Sequence, residues 1–191
     1  TTEIYTLSLH DALPISNIVV CGCSRSGQGA FLNALLRALP ATERVVLLEG
    51  RREVAVTQAN VVALNKGPLA AMGADAAQVV HRLFPDLVVV PDLEVADVAI
   101  LTGLGLVGQR GLVTSMVADS WRTCVNRLAL MVQFLSPQLG PETTERMGGQ
   151  MLDCVVVLRP GEGGRSRVAQ VVLFDRNGGE PRVIGDAETP A

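Results

Sequence analysis

The sequence predicts an α/β protein with a mostly parallel sheet, helices on both faces and an antiparallel hairpin near its C-terminus. Continuous apolar runs, such as residues 18–21 and Leu87–Val90, are typical of strands buried on both faces. Segments with apolar residues at helical spacing alternate with these runs, as in residues 120–135. Two late apolar runs, at 154–158 and 167–174, flank a glycine-rich turn and therefore indicate a hairpin.

Turn and cap signals divide the rest of the chain into elements. Pro40 and Pro85 are expected to end the helices before them, and Asp119 or Ser120 is expected to cap the helix that follows. We expect strand 18–21 to lie beside Leu87–Val90 in the parallel core. The predicted strands are residues 18–21, 45–49, 61–64, 87–90, 112–116, 154–158, 167–174 and, as a short addition, 182–184. The predicted helices are residues 29–39, 69–83, 95–106, 120–135 and 141–152.

Composition excludes several classes of function. Hydrophobic residues make up 48% of the chain, but no apolar run approaches the ~18–20 residues that span a bilayer, so we predict no transmembrane segment. The net charge is −3 and there is no basic stripe, so we predict no nucleic-acid partner. The 4 cysteines form no C-x-x-C pair, so we predict reduced thiols and no metal site.

The stretch after the first predicted strand has the outline of a phosphate-binding loop. Its glycines match G-x-x-x-x-G-K-[ST], but Gln28 stands at the lysine position and Gly29 at the Ser/Thr position. Such a loop points backbone N–H groups and a helix N-terminus at a phosphate. The candidate nucleotide-binding residues are Gly22, Ser24, Arg25, Ser26, Gly27, Gln28 and Gly29.

The two substitutions remove specific chemistry. A loop lysine carries a full positive charge to the β- and γ-phosphates, and the Ser/Thr hydroxyl holds Mg²⁺. Gln28 can donate hydrogen bonds but cannot neutralise charge, and Gly29 has no hydroxyl. The chain contains one lysine, Lys66, in a turn-like segment, and Arg25 is the cation nearest the loop in sequence.

Four later segments extend the pattern in order and at plausible spacings. They read ERVVLLE (43–49), RLFPDLVVVPD (82–92), GLVTSMVADS (111–120) and QMLDCVVVL (150–158). Together with the loop, they resemble the acidic box, Walker B strand, His box and following strand of the type II/type IV secretion and Flp (tight-adherence) pilus assembly ATPases. The similarity runs from residue 17 to about residue 174 and is much more specific than the loop alone.

This resemblance implies a RecA-like P-loop core at residues 17–175, followed by a tail at 176–191. It also implies ATP and Mg²⁺ as cofactors and catalytic carboxylates at Asp92, Glu49 and Glu53. The implied assembly is a homo- or hetero-hexamer that works with inner-membrane secretion or pilus platform proteins. The implied location is cytoplasmic, or peripheral at the inner membrane.

The chain departs from the family pattern at several catalytic positions. Gly50 replaces an acidic-box Asp, Glu94 replaces an Arg, Val117 replaces the His-box His, and Asp119 replaces an Asn. These changes make the site acidic and favour a subunit with impaired ATP binding and hydrolysis that has a structural or regulatory role. The alternative is an active ATPase that takes a cation from elsewhere. A decayed gene is disfavoured because core strands such as Leu87–Val90 keep their apolar pattern.

Residues 1–15 do not fit the family. They read as the translation of a widely used short-read sequencing adapter, and they lack the basic and apolar regions of a signal peptide. We therefore expect residues 1–16 to be non-native and the family's N-terminal domain to be absent from the chain.

Overall fold

The computed structural model describes residues 16–51, 54–55, 58–161, 165–175 and 179–185. Residues 1–15, on which the adapter interpretation depends, lie outside these ranges. The strands are β1 (Ile18–Gly22), β2 (Arg44–Glu49), β3 (Asn60–Asn65), β4 (Leu87–Val90), β5 (Leu112–Val117), β6 (Cys154–Pro160), β7 (Ser166–Leu173) and β8 (Arg182–Gly185). The helices are α1 (Gln28–Arg37), α2 (Lys66–Ala71), α3 (Asp75–His81), α4 (Val95–Leu106), α5 (Trp121–Leu135) and α6 (Pro141–Gln150).

All of these strands join one sheet in the order β3-β2-β4-β5-β1-β6-β7-β8. Pairing is parallel from β3 through β6, and β6–β7 and β7–β8 are antiparallel. This architecture confirms the predicted α/β fold with a mostly parallel sheet and a C-terminal antiparallel hairpin. The carboxyl ends of the parallel strands therefore meet at one edge of the sheet, which we call the carboxyl edge.

The predicted pairing of β1 with Leu87–Val90 is wrong. Strand β5 lies between them: Val19 pairs with Thr114, and Val90 pairs with Thr114 from the other side. Strands β1 and β4 are buried and apolar, and β5 is buried up to Val117, so burial does not distinguish one strand order from another. The order depends instead on the crossover connections, which the strand patterns do not encode.

The sheet has a hydrophobic core on each face. One core packs under α1 and the other packs under α2 to α5, because alternate residues of each central strand point to opposite faces. On the α1 face the core includes Val20, Leu32, Leu36, Val89 and Leu158. On the other face it includes Cys21, Val88, Leu104, Cys124 and Val157.

The predicted helix at 69–83 is two helices. Helix α2 begins at Lys66, with Pro68 in its first turn, where a missing N–H is tolerated. Gly73 then takes φ 58°, a left-handed conformation that ends α2 and reorients the chain before α3. The sequence pattern predicted a single helix because apolar residues recur at helical spacing on both sides of Gly73.

Across the described ranges, every helix falls short of the length and apolar content needed to cross a membrane.

Candidate nucleotide site

The loop between β1 and α1 keeps the backbone path of a phosphate loop. Gly27 has φ 83° and is the N-cap of α1. A Cβ on Gly22 would lie 2.7 Å from the Leu158 carbonyl oxygen, so only glycine fits there. Arg25 takes the left-handed φ of 66°, which is unusual for a residue other than glycine, and its side chain is exposed. The loop therefore contains two left-handed residues, Arg25 and Gly27, ahead of α1.

One buried hydroxyl inside this loop is left without a hydrogen-bond partner. The Ser26 hydroxyl is fully buried and has no hydrogen-bond partner in the described residues, while its backbone N–H bonds to the Cys23 carbonyl at 3.0 Å. Helix α1 has no side-chain cap and no acidic residue in its first turn. A helix N-terminus of this kind attracts an anion. The geometry fits a phosphate group, with Ser24 exposed at the loop tip.

Gln28 and Gly29 do not supply what ATP and Mg²⁺ require. The Gln28 Nε2 donates to the carbonyl oxygens of Gly22 at 2.9 Å and Cys23 at 3.3 Å, so the side chain folds back on its own loop. A Cβ on Gly29 would meet no atom within 4 Å, so there is room for a side chain but no hydroxyl. The described residues contain no group of three His, Cys, Asp or Glu side chains able to hold a metal. Position 29 therefore offers Mg²⁺ no hydroxyl ligand.

The candidate carboxylates lie in a separate part of the carboxyl edge. Glu49 at the end of β2 and Asp92 just after β4 both line an open cleft of about 380 Å³, which no residue of the loop lines. The Glu49 carboxylate accepts from the Val54 N–H at 3.4 Å. Glu53 lies outside the described residues. The structure thus brings two of the three predicted carboxylates together, with β5 between them and the loop.

Asp92 has a constrained backbone. It takes φ 52°, which is unusual for a residue other than glycine. Its N–H donates to the Ser115 Oγ at 3.0 Å, and its carbonyl accepts from the Lys66 Nζ at 2.9 Å. Side chains from β5 and α2 therefore hold both sides of this peptide unit, and the Asp92 carboxylate is left exposed to the cleft.

Lys66, interpreted from sequence as part of an exposed turn, is a buried component of this region. Its Nζ lies 3.0 Å from Asp97 Oδ2 and 3.5 Å from Glu94 Oε1. Asp97 also accepts from the Glu94 N–H at 2.9 Å, which completes a capping box at the start of α4. The sequence signal for this cluster was available: a single lysine, and two acids three residues apart ahead of an apolar helix.

The end of β5 carries the altered His-box positions. Val117 is exposed, and its carbonyl accepts a hydrogen bond from Arg127 of α5. Of the two predicted caps, Asp119 and Ser120, the N-cap of α5 is Ser120, which accepts from the Thr123 N–H at 3.2 Å. A hydrogen bond from the Thr123 hydroxyl lowers the pKa of the exposed Asp119 carboxyl. Asp119 is therefore a stable negative charge near the loop.

Sequence reasoning missed the contact between the loop and the C-terminal hairpin. A Cβ on Gly27 would lie 2.0 Å from the Ser166 Oγ, so the first residue of β7 packs directly against the N-cap of α1. Apart from this contact with Gly27, Ser166 is exposed, and its neighbours in the chain are Arg165 and Arg167. No local pattern could reveal this contact, because it depends on β6 lying beside β1.

The chain is similar to curated type IV secretion proteins. It is 30% identical over 169 residues to the type IV secretion system protein PtlH of Bordetella pertussis, a match that covers 83% of this chain and 50% of that protein. The PtlH homologue of Bordetella parapertussis gives the same values. The chain spans about half the length of these curated relatives. No protein-family model matches it.

Solved structures agree with this similarity. The VirB11 ATPase from the Brucella suis type IV secretion system, in complex with sulphate, superimposes with a TM-score of 0.77 at 27% identity, over 88% of this chain and 51% of that one. The Legionella pneumophila ATPase DotB shares the fold at a TM-score of 0.61 and 14% identity, over 86% of this chain and 47% of that one. The pilus retraction motor PilT with bound ADP shares the fold at a TM-score of 0.61 and 16% identity, over 85% of this chain and 49% of that one. Over about half of their length, the chain is therefore similar in sequence to type IV secretion proteins and in sequence and fold to a type IV secretion ATPase.

Proposed function

We propose that this chain is a subunit of a bacterial type II/IV secretion or Flp pilus assembly machine with impaired ATP binding and hydrolysis. Its role is structural or regulatory within a homo- or hetero-hexamer that contacts inner-membrane platform proteins from the cytoplasmic side. The observation that carries the proposal is the Gln28 side chain, whose Nε2 bonds to the Gly22 carbonyl at 2.9 Å.

The charge distribution supports impaired binding. A nucleoside triphosphate brings about four negative charges, and a phosphate loop balances them with its lysine and Mg²⁺. Here the loop has neither a lysine nor a hydroxyl at position 29. Lys66 is committed to Asp97 at 3.0 Å and lies in the cleft on the far side of β5. Arg51 also lines that cleft, but the carboxylates of Glu49, Asp92 and Glu94 outnumber it and repel a terminal phosphate.

Hydrolysis lacks a second requirement. In the family pattern a histidine occupies position 117, at the end of the strand next to the loop. Val117 cannot donate or accept a proton through its side chain. The Asp92 carboxylate is still available as a candidate general base, but without a neutralised and positioned terminal phosphate it has no substrate to act on.

The test is ATP turnover by the full chain, compared with Asp92→Ala. We expect equal, background rates from both proteins. Robust turnover by the unmodified chain that Asp92→Ala abolishes would contradict the proposal. That outcome would support the alternative, an active ATPase with divergent loop chemistry, which the constrained backbone of Asp92 specifically favours.

Rebuilding the loop is the reciprocal test. Gln28→Lys with Gly29→Thr restores the charge and the hydroxyl, and position 29 has open space for the new side chain. Mg-ATP binding should strengthen by about 1–3 kcal/mol, the range for charge-assisted hydrogen bonds. Turnover should stay low because Val117 and Glu94 are unrepaired. If the rebuilt loop does not bind, its backbone is not a phosphate cradle.

A further inference from the structure

We propose that Cys21, Met116 and Cys124 form a binding site for one Cu(I) ion in the core beneath the carboxyl edge. We call these three residues the sulfur triad. The site goes beyond the proposed function and does not depend on whether the loop binds ATP. A bound ion would tie β1, β5 and α5 together where they meet, and would let the chain respond to monovalent copper.

Strand register places two of the sulfur-bearing side chains next to each other. Cys21 of β1 and Met116 of β5 are paired residues in the parallel β1–β5 ladder. Paired residues of neighbouring strands project to the same face of a sheet, and both side chains belong to the core on the face of α2 to α5. The next pair along the ladder is Gly22 and Val117, so the two side chains lie one residue below the carboxyl edge.

The third sulfur comes from α5, which packs over these strands. The Cys124 Sγ–H donates to the Met116 Sδ at 3.4 Å. A hydrogen bond with the Cys21 thiol, together with burial, raises the pKa of the Cys124 thiol. Cys124 therefore contacts both of the other members, and the three sulfurs converge from two strands and a helix.

The sulfur triad is shielded from water. Cys21 and Cys124 are fully buried, and Met116 is 3% exposed. Both cysteines are free thiols. Water therefore does not compete with the sulfurs for a bound ion, and an ion enters only when the start of α5 opens locally. Uptake should be slower than the reaction of the exposed Cys23.

Three sulfurs of this kind select a soft ion. Thiolate and thioether ligands favour Cu(I), whereas oxygen ligands favour Mg²⁺ and Ca²⁺. A structural Zn²⁺ site takes four ligands from Cys, His and carboxylate side chains, which the sulfur triad does not provide. The sequence predicts no metal site because its cysteines form no C-x-x-C pair. Cys21 and Cys124 come together only in the folded core, and the third ligand is a methionine.

Charge and protons balance without any change of oxidation state. Two thiols release their protons to solvent as their thiolates bind the ion, and Met116 adds a neutral lone pair. One Cu(I) and two thiolates leave a single negative charge in the core. Arg127, three residues after Cys124 on α5, favours the thiolate form because its positive charge opposes the rise in the Cys124 pKa. The same charge stabilises the loaded site.

The test titrates the full, reduced chain without oxygen against a coloured Cu(I) chelator of known affinity. We expect the chain to take one equivalent of Cu(I) from the chelator and X-ray absorption to show coordination by three sulfurs. Cys124→Ser should weaken binding by roughly 100-fold or more, and the nearly volume-conserving Met116→Leu by roughly 10-fold. Cys154→Ser is the matched control: it changes a half-buried cysteine outside the sulfur triad and should leave the affinity unchanged.

Several outcomes would overturn the proposal. One is that the folded, unmodified chain takes no Cu(I) from the chelator. Another is that Met116→Leu binds as tightly as the unmodified chain, which would exclude the thioether. A third is that Cys23→Ser abolishes binding, which would assign the ion to the exposed thiol of the loop. Circular dichroism of each variant separates loss of binding from loss of fold, and the X-ray absorption of the unmodified chain tests the three-sulfur site without any substitution.

Discussion

Lys66 and Asp97 form an ion pair in the interior of the protein, with the lysine Nζ 3.0 Å from the Asp97 Oδ2. The side chains are 10% and 2% exposed, respectively. The same ammonium group binds the Asp92 carbonyl, so one buried charge connects the start of α2, the end of β4 and the start of α4. Removing either partner would leave the other charge in a medium that solvates it poorly.

Lys66→Met should therefore lower the free energy of unfolding by about 3–5 kcal/mol, the range for breaking a buried ion pair. Urea unfolding followed by circular dichroism measures this change. Lys66→Arg keeps the charge and should cost less. The double variant Lys66→Met with Asp97→Asn should also be more stable than Lys66→Met alone, since it removes the stranded carboxylate. Equal stability of the single and double variants would show that the charge on Asp97 is not what destabilises the protein.

The two ends of the loop should respond differently to the same small substitution. Gly29 is exposed in the first turn of α1, and a Cβ there meets nothing within 4 Å, so Gly29→Ala should raise the unfolding free energy by about 0.5–1 kcal/mol. Gly27→Ala should instead lower it by about 1–2 kcal/mol or more, because the residue has φ 83° and its Cβ would overlap Ser166. Thermal unfolding of the two variants tests the predicted gain in stability for Gly29→Ala and the predicted loss for Gly27→Ala. A stabilising Gly27→Ala would mean that the loop does not adopt this conformation.

Asp153 should make stability depend on pH in the acid range. Burial raises the pKa of its carboxyl above the ordinary 3.8, against opposing contributions from the Asn17 N–H and Arg110. A folded-state pKa that is raised means that the contribution of Asp153 is fully present below the unfolded pKa and is lost as pH rises through the folded one.

Asp153→Asn removes this titration while keeping an oxygen to accept from the Asn17 N–H, which lies 2.7 Å from Oδ2. The variant should therefore gain stability relative to the unmodified protein as pH is raised from about 3 towards neutral. Urea unfolding across that range gives the difference directly. A difference that stays constant with pH would mean that Asp153 has the same pKa in the folded and unfolded states.

Thiol reactivity should single out Cys23. Its side chain is exposed in the loop, whereas Cys21 and Cys124 are buried. Burial and the nearby Asp153 raise the pKa of Cys154 to about 11, which leaves little reactive thiolate near neutral pH. A chromogenic disulfide reagent should modify one thiol rapidly in the native protein and all of them after denaturation. Cys23→Ser should abolish the fast phase, and a fast phase that persists would show that a second thiol is accessible.

The sequence predicted what depends on local pattern. Buried strands such as Leu87–Val90 are recognisable from their continuous apolar runs. The loop from Gly22 to Gly29 is specified by residues that are neighbours in the chain. Boundaries were also close where a cap is local, as at Ser120. The predicted helix at 69–83 was wrong at Gly73 because the spacing of apolar residues does not reveal a change in backbone conformation.

The parts that could not be predicted join distant segments. Lys66 meets Asp97 across 31 residues, and the contact of Gly27 with Ser166 exists only because β6 lies beside β1. The separation of Glu49 and Asp92 from the loop likewise follows from the position of β5 in the sheet. Once the strand order is known, the register places each of these side chains, but residue types alone do not supply that order.

The position of β1 also affects how the chain is made. Its neighbours in the sheet are β5 and β6, and Asn17 immediately before it bonds to Asp153, 136 residues further along. The apolar segment that starts at Ile18 therefore emerges from the ribosome long before either partner strand has been synthesised. Pairing at such sequence separations is slow, and an unpaired apolar strand is prone to aggregate. During translation, this segment therefore stays unpaired until most of the chain has been made.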